Sequence, residues 1–383
     1  MGIYEDIAKL AVEIGPRGAC TSAEGRAARY IRKRFEEKGL VVKTQEFFTI
    51  HTYSYLYILY LLVAIACAYL SRWFVLWTAP IAIVNAILFA LDLETIPFIS
   101  RIFPHRLSRN VIGEIPSSDG EIGLVVVAHY DSARASLSFH PKVVRSFRTS
   151  FSVMIGGILG VGLLNLANLI LRIVFGRINT GVWIASIVIG IYLLVPVFLL
   201  LHREKYMDYT AGANDNASGV AAMLSLMDKV TEEESMTKGI MFVATGAEEV
   251  GTAGMLEFLR EYGKRIRDAR IVNLDNLGKG HLCYIEKEGM LFGRSSDPIL
   301  LWLSSKVVEK TGLPLWRSPY RLLSTDATPA LVRGYKAMSV MAFDDEGLLP
   351  NWHWETDTID NIDISNIEVV RGFLWNLVKR LDL

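Results

Sequence analysis

Four long apolar stretches set the strongest limit on how this 383-residue chain can fold. Each is about 19–25 residues long, enough for a helix rising 1.5 Å per residue to span a ~30 Å hydrocarbon core. Buried core helices of this length usually carry a polar stripe, which these stretches lack, so the pattern favours membrane spans. The stretches cover 53–71, 74–92, 151–175 and 181–201, and the aromatic residues near their ends are Tyr53, Tyr55, Tyr57, Trp73, Trp77 and Trp183.

The four stretches pair into two transmembrane helical hairpins, at 53–92 and 151–201. Two crossings per hairpin return the chain to the same side, so the remaining sequence is expected on one face of the membrane. Basic residues are more frequent in the flanks on that face than at the hairpin tips, although they could also bind lipid headgroups. The sequence therefore predicts a multi-pass protein of the cell membrane with its other domain in the cytoplasm.

Outside the hairpins, residues 1–52, 93–150 and 202–383 predict one discontinuous domain of alternating helices and apolar strands. Such alternation is typical of an α/β fold with a mixed, mostly parallel sheet flanked by helices. The predicted strands are 41–50, 109–115, 122–128, 239–245, 269–274 and 336–343. The predicted helices are 3–14, 22–39, 216–230, 252–262, 298–311 and 364–381.

Composition argues against a nucleic-acid-binding protein and against structures or sites built on cysteine. Lys and Arg number 40 and Asp and Glu number 40, so the basic excess typical of a nucleic-acid-binding protein is missing. The three cysteines, Cys20, Cys67 and Cys283, are isolated, which argues against a disulfide framework and against a thiolate zinc site.

Acidic and imidazole side chains follow several of the predicted strands. In open α/β sheets, ligands bind beyond the carboxyl ends of the strands. Buried unpaired carboxylates are costly, so carboxylates and imidazoles meeting at one edge are best explained by cations. A set without thiolates suits Zn²⁺ with open positions, and one carboxylate can bridge two metals. The residues are His129, Asp215, Glu248, Glu249, Asp275 and His353.

Each of these residues also has a purely structural explanation when it is taken alone. Asp215 precedes a helix and could be an ordinary N-cap. Glu248 and Glu249 could be a solvated loop pair, His129 a hydrogen-bonded histidine at a strand end, and His353 a surface residue between two tryptophans. It is their order and their repeated position at strand ends that make the set specific.

The sequence outside the hairpins resembles the M28 family of co-catalytic zinc aminopeptidases. The motifs that carry the resemblance are Glu13–Arg17, His129 with Asp131, Asp215–Gly219, Glu248–Gly251, Asp275, and His353 followed by Asp357 and Thr358. The resemblance implies that Asp215 bridges two Zn²⁺ ions. His129 and Asp275 would complete one site. Glu249 and His353 would complete the other.

The resemblance also implies that Glu248 is the general base and that Asp131 orients His129. Physical chemistry agrees with both roles. Adjacent residues in extended chain point in opposite directions, so one glutamate can bind metal while its neighbour faces the water. A metal-bound imidazole needs a hydrogen bond at its second nitrogen, and Asp131 is two residues from His129.

Two features depart from the family pattern. Many relatives carry Ser-Asp-His in the late loop, whereas this chain has Ser324–Thr328, where Asp326 is expected to shape the substrate pocket. Trp352 and Trp354 are expected to form aromatic pocket walls. The second hairpin also lies between His129 and Asp215, which predicts that the metal-bearing edge lies near the membrane surface.

These observations lead to three functional hypotheses. The first is a membrane-embedded zinc metallopeptidase, an aminopeptidase acting on peptides that are themselves membrane-associated or amphipathic. The second is a glutaminyl-cyclase-like acyltransferase, which would typically use one zinc ion. The third is a non-catalytic membrane chaperone or scaffold, which the complete ligand set disfavours.

Overall fold

A computed structural model describes residues 2–117, 120–232 and 238–381. The chain divides into two compact units, each assembled from separate segments. The sheet unit comprises Met1–His51, Pro104–Ala135 and Tyr209–Leu383. The helical unit comprises Thr52–Phe103 and Ser136–Asp208. The helical unit is thus inserted into the sequence of the sheet unit at two places.

The described elements alternate as the apolar strand pattern predicts. The strands are β1 (Val41–Thr49), β2 (Arg106–Ile115), β3 (Ile122–His129), β4 (Gly239–Thr245), β5 (Arg270–Leu274), β6 (His281–Glu288), β7 (Arg294–Ser295), β8 (Leu315–Pro319) and β9 (Lys336–Phe343). The helices are α1 (Ile3–Ala8), α2 (Ser22–Glu37), α3 (Ser54–Leu93), α4 (Phe147–Phe175), α5 (Thr180–Tyr206), α6 (Ser218–Val230), α7 (Ala253–Tyr262), α8 (Pro298–Thr311), α9 (Ala327–Val332) and α10 (Ile364–Arg380).

The strands form one sheet in the order β1-β2-β4-β3-β5-β9-β6-β7, with β8 paired to β6. Its centre, β4-β3-β5-β9, is parallel, whereas β1, β2, β6 and β7 pair in antiparallel fashion at the margins. The predicted mixed sheet flanked by helices is confirmed, and the parallel strands are concentrated in its middle. Strands β6, β7 and β8 and helix α9 were not predicted.

Burial on both faces explains why the central strands are continuous apolar runs. All seven residues of β4 are buried, and β3 is buried over nearly its whole length. Helix α2 packs one apolar side onto the sheet through Phe35, which lies 6.4 Å from Phe242 between ring centroids. Glycine at position 113 of β2 permits this packing, because an added Cβ would meet Phe35 Cδ2 at 2.6 Å. The central strands are therefore held in a fixed position relative to α2.

Helix α3 is two helices in one element, because its backbone breaks at Phe74, where φ is −123° and ψ is 33°. In a straight helix, residues 60 and 85 would be roughly 37 Å apart. Instead, Asn85 Nδ2 donates to the Tyr60 carbonyl at 3.0 Å, and the Tyr57 and Phe89 rings are 5.6 Å apart. The two halves therefore fold back on each other, with the reversal next to the predicted link at 71–73.

The rest of the helical unit packs through small residues. A Cβ at Gly190 of α5 would lie 3.3 Å from Ala68 Cβ, so α5 and α3 approach closely. Asn165 of α4 donates to Ser186 of α5 at 3.4 Å. By length and composition alone, three described helices are apolar enough to cross a membrane: Ser54–Leu93, Val144–Phe175 and Thr180–Tyr206.

Candidate metal centre

The candidate ligands come from the carboxyl ends of the parallel strands. His129 is the last residue of β3 and pairs with Thr245, the last residue of β4. Asp275 directly follows β5, and the turn after β4 carries Glu249. Because these strands run parallel, their carboxyl ends share one edge of the sheet. The polar residues therefore converge although they are far apart in sequence.

Asp215 lies at the centre of the cluster, in the segment that leads into α6. Its Oδ1 is 3.2 Å from His129 Nε2, and its Oδ2 is 3.2 Å from His353 Nε2. The same His129 nitrogen is 3.6 Å from Asp275 Oδ1, and the same His353 nitrogen is 3.2 Å from Glu249 Oε2. The five side chains thus form two groups that share one carboxylate.

The donor set fits cations. The five side chains are each at most 9% exposed. Ligand atoms of His129, Asp215 and Glu249 all lie within 4.8 Å of one another. Glu249 Oε1 is buried and accepts no hydrogen bond from the described residues. Oxygen and imidazole donors arranged in this way suit Zn²⁺.

The pKa values of the candidate ligands indicate that positive charge is favoured in this site. Burial by itself would lower the pKa of His353, but Glu249 and Asp215 raise that pKa to about 10. The pKa of His129 is likewise raised, because Asp131, Asp215 and Asp275 outweigh the effect of burial. Burial alone would raise the pKa of Asp215, yet the two imidazoles lower it. Protons on the imidazoles balance the carboxylates here, and a bound cation would replace them.

Asp131 contacts both His129 and the turn that carries Glu248 and Glu249. His129 Nδ1 is 3.2 Å from the backbone carbonyl of Asp131 and 3.6 Å from its carboxylate. The Asp131 carboxylate also accepts the backbone N–H of Glu248 at 3.0 Å and of Glu249 at 3.2 Å. Asp131 therefore orients the histidine through its main chain and fixes the glutamate turn through its side chain.

Glu248 lies beside the cluster and is partly exposed, unlike the candidate ligands. Burial raises its pKa well above the ordinary value, and the neighbouring carboxylates of Asp326, Glu249 and Asp275 add to the effect, while His129 opposes it. A carboxylate at this position can accept a proton from a water molecule in the site.

Arg17 and Asp357 hold the segments that carry the candidate ligands. The sequence predicted no individual role for either residue. The fully buried Arg17 donates from Nε to the Tyr130 carbonyl at 2.6 Å and from Nη2 to the Gly212 carbonyl at 2.7 Å. It thereby ties the chain after His129 to the loop before Asp215. Asp357 accepts the backbone N–H of Asn214 at 2.6 Å and of Asp215 at 3.2 Å. In the sequence, each residue was marked only because it belongs to a motif that resembles the zinc aminopeptidase family.

The three candidate substrate-binding residues lie in different environments. Asp326 is buried, accepts a hydrogen bond from Thr245 Oγ1, and has a second oxygen, Oδ1, with no partner among the described residues. Trp352 is 3% exposed, and its ring is tilted against that of His353 with 5.2 Å between the ring centroids. Trp354 is half-buried. Asp326, Trp352 and Trp354 remain predictions as pocket residues.

Three residues beside the cluster adopt left-handed backbone conformations. Ala247 has φ 53°, Asn276 has φ 51° and His353 has φ 47°. Residues other than glycine adopt such angles rarely and at an energetic cost. Each lies at or next to a candidate ligand or base, so the surrounding hydrogen bonds must hold the turns in place.

Part of the sequence is similar to known peptidases. Residues 200–378 match the model of Peptidase family M28, a range that includes every proposed ligand except His129. Aminopeptidase YwaD of Bacillus subtilis (strain 168) is 27% identical over 198 residues, which is 48% of this chain and 41% of that protein. The chain thus spans about two fifths of the length of this curated relative.

Two solved structures share the fold over nearly the whole chain. BSAP, a zinc aminopeptidase from Bacillus subtilis, has a TM-score of 0.58 and 16% identity, covering 99% of this chain and 94% of that one. Glutaminyl cyclase from Bacteroides thetaiotaomicron has a TM-score of 0.59 and 16% identity, covering 98% of this chain and 96% of that one. Residues 200–378 thus resemble peptidase family M28, and the zinc aminopeptidase and glutaminyl cyclase structures share the fold of nearly the whole chain.

Proposed function

We propose that this protein is a zinc-dependent metallopeptidase of the aminopeptidase type that binds two Zn²⁺ ions. The observation that supports it is the position of Asp215, whose two oxygens each lie 3.2 Å from a different histidine. His129 and Asp275 would hold one ion. Glu249 and His353 would hold the other. Asp215 would bridge them.

Glu248 is proposed as the general base. When bound, the two zinc ions would polarise the scissile carbonyl and lower the pKa of the attacking water. Glu248 would take the proton of that water and deliver it to the leaving amine. Asp131 keeps the Glu248 backbone in place, and Glu248 as a residue is partly exposed.

A peptide substrate with a free N-terminus is supported by Asp326. Its Oδ1 is buried with no partner among the described residues, and burial, with a contribution from the Asp131 and Asp275 carboxylates, raises the pKa of Asp326 to about 7 against the opposing effect of His129. Such an oxygen is suited to an ammonium group, because an unsatisfied buried acceptor costs about 1–3 kcal/mol. We include Asp326 in the proposed substrate site on this basis, with Trp352 and Trp354 as the aromatic walls that the sequence predicts.

The helical unit is proposed as a membrane anchor with the sheet unit in the cytoplasm. Its support is the outward apolar surface: Trp77 is 71% exposed, Ile173 71% and Phe198 75%. Soluble proteins rarely leave such residues exposed in large numbers. An anchor of this kind would favour peptides that are membrane-associated.

The function is tested with the full chain purified in detergent or nanodiscs. We expect about two zinc ions per chain and cleavage of peptides with a free N-terminus, but not of their N-acetylated forms. Glu248→Gln should keep the zinc and lose at least about 100-fold in kcat, since general base catalysis contributes 10²–10⁴-fold. Asp345→Asn, at a side chain 93% exposed, is the matched carboxylate-to-amide control and should behave as wild type.

Other outcomes contradict the proposal in distinguishable ways. Undiminished cleavage by both Glu248→Gln and Asp215→Ala would remove its chemical basis. One zinc per chain together with cyclisation of N-terminal glutamine would favour the acyltransferase hypothesis. This chain shares the fold of the glutaminyl cyclase structure. Zinc binding without either reaction would favour a non-catalytic role.

A further inference from the structure

The turn that carries Glu248 and Glu249 is held in an unusual way. Four successive backbone N–H groups each donate to a side-chain oxygen from elsewhere in the sheet unit. The bonds are Gly246 N to Asn110 Oδ1 at 3.1 Å, Ala247 N to Glu24 Oε1 at 3.0 Å, Glu248 N to Asp131 Oδ1 at 3.0 Å, and Glu249 N to Asp131 Oδ2 at 3.2 Å. Three side chains therefore determine the path of the turn.

Glu24 is the member of this set that lies furthest from the ligands in sequence. It belongs to the first turn of α2, and its side chain is buried, with the residue 1% exposed. Besides Ala247 N, it accepts Ser108 Oγ at 2.7 Å and Cys20 N at 3.0 Å. Three donors thus converge on one carboxylate, which offsets the cost of burying it.

Helix capping explains only one of these three contacts, the bond from Cys20 N. Thr21 accepts the Glu24 backbone N–H at 3.2 Å, and Glu24 Oε2 returns a bond to Cys20 N, an arrangement close to a capping box. The other oxygen, Oε1, takes no part in the cap. It faces Ser108 and Ala247 instead.

The backbone at Ala247 needs such support. Its φ of 53° is unfavourable for a residue with a side chain. The preceding Gly246 packs so closely that a Cβ there would lie 2.5 Å from the Arg109 carbonyl and 2.9 Å from Glu24 Oε1. The turn is thus pressed against β2 and Glu24, and the Ala247 N–H is aimed at that carboxylate.

We propose that Glu24 is a positioning residue for the catalytic step, acting through the Ala247 N–H to fix the peptide that carries Glu248. This inference rests on the proposed function, in which Glu248 is the base. Glu24 itself touches neither the proposed metals nor the substrate. Its effect is on where the Glu248 carboxylate stands, and a displacement of about 1 Å can cost roughly 100-fold in rate.

The test compares Glu24→Ala, Glu24→Gln and Thr21→Ala in the zinc-loaded full chain. Glu24→Ala should lower kcat by roughly 30–100-fold with KM within about threefold. Glu24→Gln keeps an oxygen for the Ala247 N–H and should stay within about fivefold of wild type. Thr21→Ala removes the other half of the helix cap without touching the turn, so its kcat should be unchanged.

Amide hydrogen exchange of residues 246–249 gives a readout that does not depend on activity. Exchange there should accelerate in Glu24→Ala and stay unchanged in Thr21→Ala. Unchanged exchange in Glu24→Ala, or equal kcat losses in Glu24→Ala and Thr21→Ala, would overturn the inference. If Glu24→Ala does not fold, Glu24→Asp keeps the charge but withdraws the oxygen from Ala247 and is read in the same way.

The two proposals fail separately. A wild-type protein that cleaves no peptide contradicts the proposed function, and amide exchange still decides whether Glu24 holds the turn. A cleaving wild type with a fully active Glu24→Ala contradicts only the role of Glu24.

Discussion

The sheet unit and the helical unit arrange their buried polar groups differently. In the sheet unit, the buried polar residues at the strand ends are charged and converge, as His129, Asp215 and Asp275 do. In the helical unit, Asn165 and Asn168 are buried neutral amides that bond to neighbouring helices and turns. The sheet unit concentrates charge at one edge, where a cation can compensate it, whereas the Asn165 and Asn168 amides are spread along the helical unit and bond within it.

The two units also differ in where their apolar residues lie. The apolar residues of the sheet unit are mainly in its core, on both faces of the central strands. Many of the large apolar residues of the helical unit face outward, with Leu163 64% exposed and Val188 61%. A chain in hydrocarbon needs no apolar core, but it must satisfy its backbone and side-chain polar groups internally. This contrast is the one that the proposed membrane anchor would produce.

Replacing Arg17 by methionine should have the largest effect on stability in the sheet unit. The change leaves the carbonyls of Tyr130 and Gly212 without the Arg17 donor and removes a buried cation that faces Asp357 and Asp131. Breaking a buried charge arrangement typically costs about 3–5 kcal/mol. The loss of stability is measured by the thermal unfolding temperature and by the zinc content of the purified protein.

The control for Arg17 is Arg32→Met, at a side chain 50% exposed and paired within α2. We expect it to change stability by less than about 0.5 kcal/mol. Equal unfolding temperatures for the two variants would mean that the charge balance in the sheet unit is not structural.

Leu163→Arg should have the next largest effect, in the helical unit. If this unit lies in a bilayer, an arginine at an outward position costs about 3 kcal/mol, and the protein should accumulate poorly in membranes. The measurement is the folded fraction recovered from membranes.

Val41→Arg in β1 is the matched change in the sheet unit, since Val41 is 53% exposed. In water, this substitution should cost less than about 0.5 kcal/mol. Normal accumulation of Leu163→Arg would contradict the membrane anchor and remove the difference in solvent between the units.

Removing zinc should have a smaller effect that is confined to the sheet unit. At zinc concentrations 100-fold above Kd, bound metal adds about 2.7 kcal/mol, so a chelator should lower the unfolding temperature by roughly 5–10 °C. Intrinsic fluorescence and amide exchange should change at the strand ends and not in α4 or α5. A shift of equal size in the exchange of both units would contradict this separation.

Zinc binding should also depend on pH. In the metal-free site the pKa of His353 is raised to about 10, so binding of a cation must release that proton at any lower pH. Apparent zinc affinity should therefore rise with pH by at least about tenfold per unit below pH 10. Chelator competition at several pH values measures this slope, and a flat profile would contradict the assignment of His353 as a ligand.

Much of the fold was predictable because the central strands are buried on both faces. The predicted 239–245 and 336–343 coincide with β4 and β9. Strand β6 was missed, since its sequence mixes polar and charged residues with apolar ones, and it forms by pairing with β8 and β9. The predicted helix 3–14 is α1 followed by a wider turn, whose extra residue per turn is not readable from periodicity.

The sequence by itself determined which residues meet at the sheet edge, because parallel strands fix where their carboxyl ends lie. It also determined the apolar helices, because length and composition are local properties. Only the tertiary structure decided how the site is held: the Asp131 carboxylate on the glutamate turn, Arg17 across two loops, and Glu24 on Ala247. Those contacts join segments over 100 residues apart, and nothing in local pattern or propensity specifies which distant N–H or carbonyl a buried charge will meet.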